Sequence, residues 1–235
     1  MDFDWTAQDK EVKAKVAALF QEADPYELES LETADLSALR AMTVHYLGAL
    51  AATGYLALGL APGQNARAMA LIAAQEELAR VSGSLFLAVE FSTRLFGGLL
   101  VGFGKSDGVT LIEHALSRGE IIGAVALSES EESEGSPGSV THGVVDGDTY
   151  VVTGKKHYVT NAPIADWVAV FGEAGGRPAV FLVQAGQTGV EVGPRLGTLG
   201  YNGMAVASVE LHKVKVPKGL VLGPFEDECL VDFLL

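Results

Sequence analysis

The chain holds a single cysteine, Cys229, so neither an intrachain disulfide framework nor a cysteine-built metal site can form. A reducing compartment, by default the cytoplasm, is the expected setting. Basic residues are also few, 16 Lys and Arg against 30 Asp and Glu, for a net charge of −14 and a pI near 4.7. Nucleic acid and anionic lipid both demand clustered positive charge, so neither is an expected partner. No uninterrupted apolar run approaches the roughly 20 residues of a membrane span. The opening Met1-Asp2-Phe3-Asp4 is acidic where a targeting peptide would be basic. The histidines, His45, His114, His142, His157 and His212, show no HxxxH or HxxH spacing, and no metal site is expected. A GxSxG motif, a P-loop and an intact GxGxxG are missing as well.

What is present is apolar: 49% of the 235 residues are hydrophobic, enough for one large domain or two modest ones. The pattern favours two, in an α+β arrangement. Residues 1–120 read as an all-helical domain. A first helix runs from Thr6 to Ala23, with Val12, Val16, Leu19 and Phe20 on one face, and Pro25 marks its exit. The acidic segment Glu27 to Asp35 is expected to be a loop. Helices follow at Leu36–Thr53, stopped by Gly54, at Met69–Arg80, at Gly83–Leu100 and at Val109–Arg118. The stretch from Gly83 is too apolar for a surface and should be central.

Residues 121–224 lose helical periodicity and read as a small β domain, barrel-like or a sandwich. Ile122 to Leu127 is a buried-strand pattern that stops at Ser128-Glu129-Ser130. Further β-rich runs recur at Thr149–Thr153, Trp167–Phe171, Ala179–Val183, Gly189–Val192 and Val206–Val214, with Gly175-Gly176 and Gly193-Pro194 as turns. Residues 225–235 look like the start of a helix cut off in mid-pattern.

Two segments of this β region carry a recognisable pair of motifs. Ala126-Leu127-Ser128-Glu129 and Thr153-Gly154-Lys155-Lys156-His157-Tyr158-Val159-Thr160-Asn161-Ala162 resemble the two signatures of the acyl-CoA dehydrogenase middle domain, A-x-T-E-P-x-A-G-S-D and N-G-x-K-x-W-I-T-N-A. Leu199-Gly200, Val214-Lys215-Val216-Pro217 and Leu222-Gly223 resemble a third segment of that family, L-G … D-V-x-V-P … L-G. The resemblance implies the fold of the first two domains of such an enzyme and an FAD cofactor. It places the flavin against Tyr158, the hydroxyl of Thr160 near the reactive nitrogen, and the backbone around Ala126, Leu127 and Ser128 at the pyrimidine edge, with Val159 between the two ring-facing residues. A neutral isoalloxazine needs such a flat aromatic wall and donors aimed where negative charge develops. Taken alone, Tyr158 and Thr160 are ordinary strand residues.

Where the family has the Gly-Ser that approaches ligand phosphate, this chain has Ser133 and Glu134, preceded by Glu131 and Glu132. Carboxylates there oppose phosphate and weaken a standard CoA or pyrophosphate contact, while Glu134 stands at the ligand-facing position of the loop and is its candidate substrate-binding residue. Glu90 falls near the place where some family members carry a glutamate at the floor of the acyl pocket. An ion pair with Arg94, one helical turn on, is the plainer reading.

No segment corresponds to the family's C-terminal helical domain, which supplies the carboxylate base, and no catalytic residue is assigned. The expected function is that of a flavoprotein subunit in α,β-dehydrogenation of an acyl thioester, carried on CoA or a carrier protein. A separate acyl-CoA dehydrogenase-like chain would supply the helical bundle and base in a hetero-oligomer. A non-catalytic stabilising subunit and a flavin monooxygenase-like relative are the alternatives.

Overall fold

The computed structural model describes residues 6–21, 25–58, 60, 68–129 and 141–226. Helices come first: α1 (Ala7–Gln21), α2 (Pro25–Ser30), α3 (Leu36–Thr53), α4 (Ala68–Val81), α5 (Gly83–Glu90), a π-helical turn (Phe91–Phe96), α6 (Gly97–Phe103) and α7 (Asp107–Ser117). Caps set several of the ends. Asp35 accepts from the Ala38 amide at 2.8 Å to start α3, and Gly54 ends it in the left-handed region at φ 83°. Ser82 and Ser106 cap α5 and α7 through the amides of Leu85 and Val109. The acidic segment expected to be a loop instead opens with the short helix α2.

From Gly83 to Phe103 the chain is one continuous helix of 21 residues, which by length and composition alone could cross a membrane. In this fold it is a central element. Leu85 and Val89 belong to the helical core with Leu39, Leu47, Leu50 and Leu78, while Phe96, Leu99 and Leu100 belong to a second core shared with the sheet.

The sheet comprises β1 (Gly123–Ala126), β2 (His142–Asp146), β3 (Thr149–Thr160), β4 (Trp167–Ala174), β5 (Arg177–Gln184), β6 (Val190–Val192), β7 (Val206–Pro217) and β8 (Val221–Leu222). Its order is β6-β7-β3-β2-β4-β5-β8, with β1 added parallel to β4. The sheet folds over as a sandwich and not as a closed barrel: its two ends, β6 and β8, are not paired among the described residues. Alternation along β4 and β5 explains their continuous apolar runs. Val168, Val170, Phe181 and Val183 face the sandwich interior with Val152, Val209 and Val214. Ala169, Phe171, Val180 and Leu182 face α6 and α7.

Two features missed in the sequence are strands with weak signals, β2 and the two-residue β8. A third is the length of β3, where Gly154 does not end a strand but sits at a register shift against β7. Helical and sheet regions meet closely at Gly123, where a Cβ would lie 2.2 Å from the Phe96 ring. Asp166 ties the same seam, pairing with Arg40 at 2.7 Å and accepting from the Ile122 amide at 2.8 Å. The loop carrying Glu131, Glu132 and Glu134, and residues 227–235 of the expected terminal helix, lie outside the described residues.

Candidate functional site

The second register shift in β3 creates the site. Lys156 pairs with Val209 and Val159 with Ala207, so His157 and Tyr158 together oppose the single residue Ser208. Such a bulge bends the strand and re-aims a side chain. Tyr158 takes φ 56°, a left-handed conformation rare for a bulky residue, and its side chain stands 75% exposed although it lies within a strand. Beside it opens a cleft of about 180 Å³. It is lined by His157 and Tyr158 of β3, Val125 of β1, Leu127 and Ser128 just beyond β1, and Phe91 and Leu95 from the helical region.

Phe91 and Leu95 both belong to the π-helical turn, a feature often found at functional sites because its wider winding displaces side chains from the α-helical register. That turn is pinned from two directions. Ser92 Oγ accepts from the Gly123 amide at 2.9 Å, tying it to β1. Asn161, fully buried with φ 67°, donates from Nδ2 to the Ala88 carbonyl at 2.8 Å, tying the end of β3 to the helix just before the turn.

Glu90 is the last residue of α5, immediately before the same turn. Its Oε1 accepts from the Tyr55 hydroxyl at 2.6 Å, its Oε2 from Gln75 at 2.5 Å, and Arg94 Nε lies 3.6 Å from Oε2. Arg94 also donates to the carbonyls of Leu56 and Tyr55. Burial, reinforced by the Glu90 charge, pushes the Tyr55 hydroxyl well above its ordinary range, so this group is a fixed donor. The ion pair with Arg94 is therefore what Glu90 makes, inside a network that occupies both its oxygens, and it does not line the cleft.

Under the β1 end lies a buried ion pair. Lys156, 3% exposed, donates to Glu129 Oε1 at 2.7 Å and to the Leu127 carbonyl at 3.0 Å. Glu129 Oε1 also accepts from the Thr141 amide at 2.7 Å. The two partners respond in opposite senses. Burial acts to raise the Glu129 pKa, but Lys156 and the Thr141 amide outweigh it and hold the carboxyl below its ordinary value. Burial lowers the Lys156 pKa, and Glu129 only partly offsets this.

Of the residues singled out in the sequence, Leu127, Ser128 and Tyr158 come together in the cleft. Ala126 and Val159 are fully buried in the sandwich core, which leaves only their backbone to meet a ligand. Thr160 is 6% exposed beside them and is not among the cleft-lining residues. Sequence reasoning missed Phe91, Leu95, His157 and the Lys156–Glu129 pair. A signal for the last existed: alternation from Val152 places Lys156, and not Lys155, on the inward face.

Chemically the cleft is an apolar slot with one flat aromatic face and one polar edge formed by Ser128 and His157. Its volume is below the ≈ 300–1,000 Å³ of sites that enclose a whole drug-sized ligand, so it fits a planar ring system and not an entire dinucleotide. Among the described residues no carboxylate lines it, and no cluster of His, Cys, Asp or Glu could hold a metal.

Residues 124–214 match the family described as acyl-CoA dehydrogenase, middle domain. The chain is similar to benzylmalonyl-CoA dehydrogenase of Aromatoleum aromaticum, 28% identical over 92% of this chain and 58% of that protein. It is also similar to the caffeyl-CoA reductase-Etf complex subunit CarC of Acetobacterium woodii, 29% identical over 68% of this chain and 44% of that protein. The fold is that of the glutaryl-CoA dehydrogenase of Mycobacterium smegmatis solved in complex with FADH2, with a TM-score of 0.77 at 18% identity over 95% of this chain and 57% of that one. The chain thus spans less than two thirds of the length of each of these proteins.

Proposed function

Because the chain belongs to the acyl-CoA dehydrogenase family, and covers the part that carries the N-terminal helices and the middle β-sheet, we propose that it is a flavoprotein subunit acting on an acyl thioester. The isoalloxazine of FAD is the ligand of the cleft. Tyr158 supplies the flat wall, the Ser128 hydroxyl and the backbone of Ala126 to Ser128 meet the polar edge, and Phe91, Leu95, Val125 and Leu127 keep water from the ring. When bound, this cofactor supplies hydride acceptance; the chain's own residues bind and orient the ring. The observation that carries the reading is the bulge at His157–Tyr158, which turns an aromatic side chain out of a strand and against an otherwise apolar slot.

Dehydrogenation also requires a base for the α-proton. Among the described residues no carboxylate lines the cleft, and we assign the base to an acyl-CoA dehydrogenase-like partner chain. Relatives named for CoA thioesters support that substrate class. The same absence of a carboxylate favours, as second reading, a subunit that binds flavin and stabilises its partner without turnover. Titrating the purified chain with FAD, and following flavin fluorescence and visible absorbance, tests the binding. Bleaching by an acyl-CoA only when a partner chain is added supports the enzyme reading; binding that is never followed by bleaching in the assembled complex supports the second. A chain that leaves flavin fluorescence unchanged at micromolar concentrations overturns both.

A further inference from the structure

The segment Leu127–Glu129 lies beyond the last residue of β1 and outside every strand register, yet its Leu127 and Ser128 line the cleft. Three of the four bonds that hold it come from two consecutive residues of β3. The Lys156 ammonium takes the Leu127 carbonyl and the Glu129 carboxylate, and the His157 amide donates to the Ser128 carbonyl at 2.9 Å. Leu127 and Ser128 thus have one anchor each, Glu129 has a second in the Thr141 amide at 2.7 Å, and two of these bonds end on one buried nitrogen. With the ammonium buried and the carboxylate only partly exposed, desolvation offsets much of the attraction, so the pair is a poor source of stability. Its value lies in direction: an ammonium with three donors fixes where a carbonyl and a carboxylate must lie.

We propose that Lys156 is a positioning residue, whose ammonium sets the course of Leu127, Ser128 and Glu129 and so aims the polar edge of the cleft at its ligand. The consequence for flavin binding rests on the function proposed above; the conformational part does not. Lys155 is the internal control. It is the preceding residue, points to the opposite face, and makes only an exposed pair with Glu210 at 3.3 Å.

The test compares wild type, Lys155→Met, and the double variant Lys156→Met/Glu129→Leu, which replaces the pair by apolar groups. Without ligand, hydrogen exchange at the His157 amide reports whether its bond to Ser128 persists. In the double variant this amide should exchange at least tenfold faster, while the Val152 amide in the same strand keeps its protection and thermal stability stays within a few degrees of wild type. FAD, read by fluorescence quenching, should bind at least tenfold more weakly to the double variant and as in wild type to Lys155→Met. If the double variant does not fold, Lys156→Gln, which keeps a shorter neutral donor, should show the same two losses. Unchanged His157 exchange in a folded variant overturns the proposal, as does wild-type FAD affinity. Should wild type itself bind no FAD while the exchange contrast appears, the flavin reading falls and the positioning role of Lys156 stands.

Discussion

Replacing Tyr158 by glycine separates what the bulge costs from what the ring does. At φ 56° a non-glycine residue carries about 1–2 kcal/mol of backbone strain, which glycine removes. Against this, glycine gains more freedom in the unfolded chain, a loss of roughly 0.5–1 kcal/mol. The ring is 75% exposed, so about a quarter of a tyrosine's roughly 200 Å² is buried, worth about 1 kcal/mol at 25 cal/mol per Å². These terms nearly cancel. The melting temperature of Tyr158→Gly should lie within a few degrees of wild type, since ~1 kcal/mol moves a domain of this size by about 2–4 °C.

Ligand binding should respond differently, because stacking of a planar heterocycle on an aromatic side chain is worth about 1–3 kcal/mol. Flavin affinity should then fall by about 5- to 150-fold. Tyr158→Phe keeps the ring and should bind nearly as wild type. Tyr158→Ala loses the ring but keeps the strain, and should be the least stable of the three. Differential scanning fluorimetry and flavin titration of the three variants read both effects. A Tyr158→Gly protein that melts ten degrees lower, or that binds flavin as tightly as wild type, would refute the reasoning.

Three further outcomes are expected. The Glu129 pKa is lowered in the folded state, so the stability it adds is complete above the unfolded glutamate value near 4.5 and is lost as pH falls through the lower folded value; Glu129→Gln should be less stable than wild type at pH 7, with the difference shrinking as pH falls through that window, read from denaturation curves across pH. Gly123→Ala drives a methyl group to 2.2 Å from the Phe96 ring and should cost about 1–3 kcal/mol in chemical denaturation, partly recovered by Phe96→Leu. Glu90→Ala leaves the buried Arg94 guanidinium without its carboxylate and should cost about 3 kcal/mol, seen as a lower denaturation midpoint; a protein of unchanged stability would return Glu90 to the ligand-binding candidates.

Most of the helical half was legible because its signals are local: Gly54 is a stop whose meaning depends on a few neighbours, and the apolar run from Gly83 could only be central, while the caps Asp35, Ser82 and Ser106 came to light in the structure. The strands with two buried faces, β4 and β5, were legible for the same reason, as continuous apolar runs. The cleft was not, because it is made by departures from periodicity. A β-bulge adds one residue to one strand, and nothing in His157-Tyr158 announces that Ser208 alone will oppose them. A π-turn adds one residue to one helical winding, and Phe-Ser-Thr-Arg-Leu-Phe reads as ordinary apolar helix. The motif resemblance brought Tyr158 and Ser128 together without a physical reason for their exposure. The reason is that both irregularities meet at one seam, β1, whose Gly123 amide bonds the π-turn and whose following residues are held from β3. Regular secondary structure buries apolar side chains in fixed alternation, so a slot walled by Phe91, Leu95 and Tyr158 requires that alternation to fail on both sides at once. Restoring it on either side, by deleting one residue of the bulge or of the π-turn, should close the cleft while leaving the cores of both halves intact.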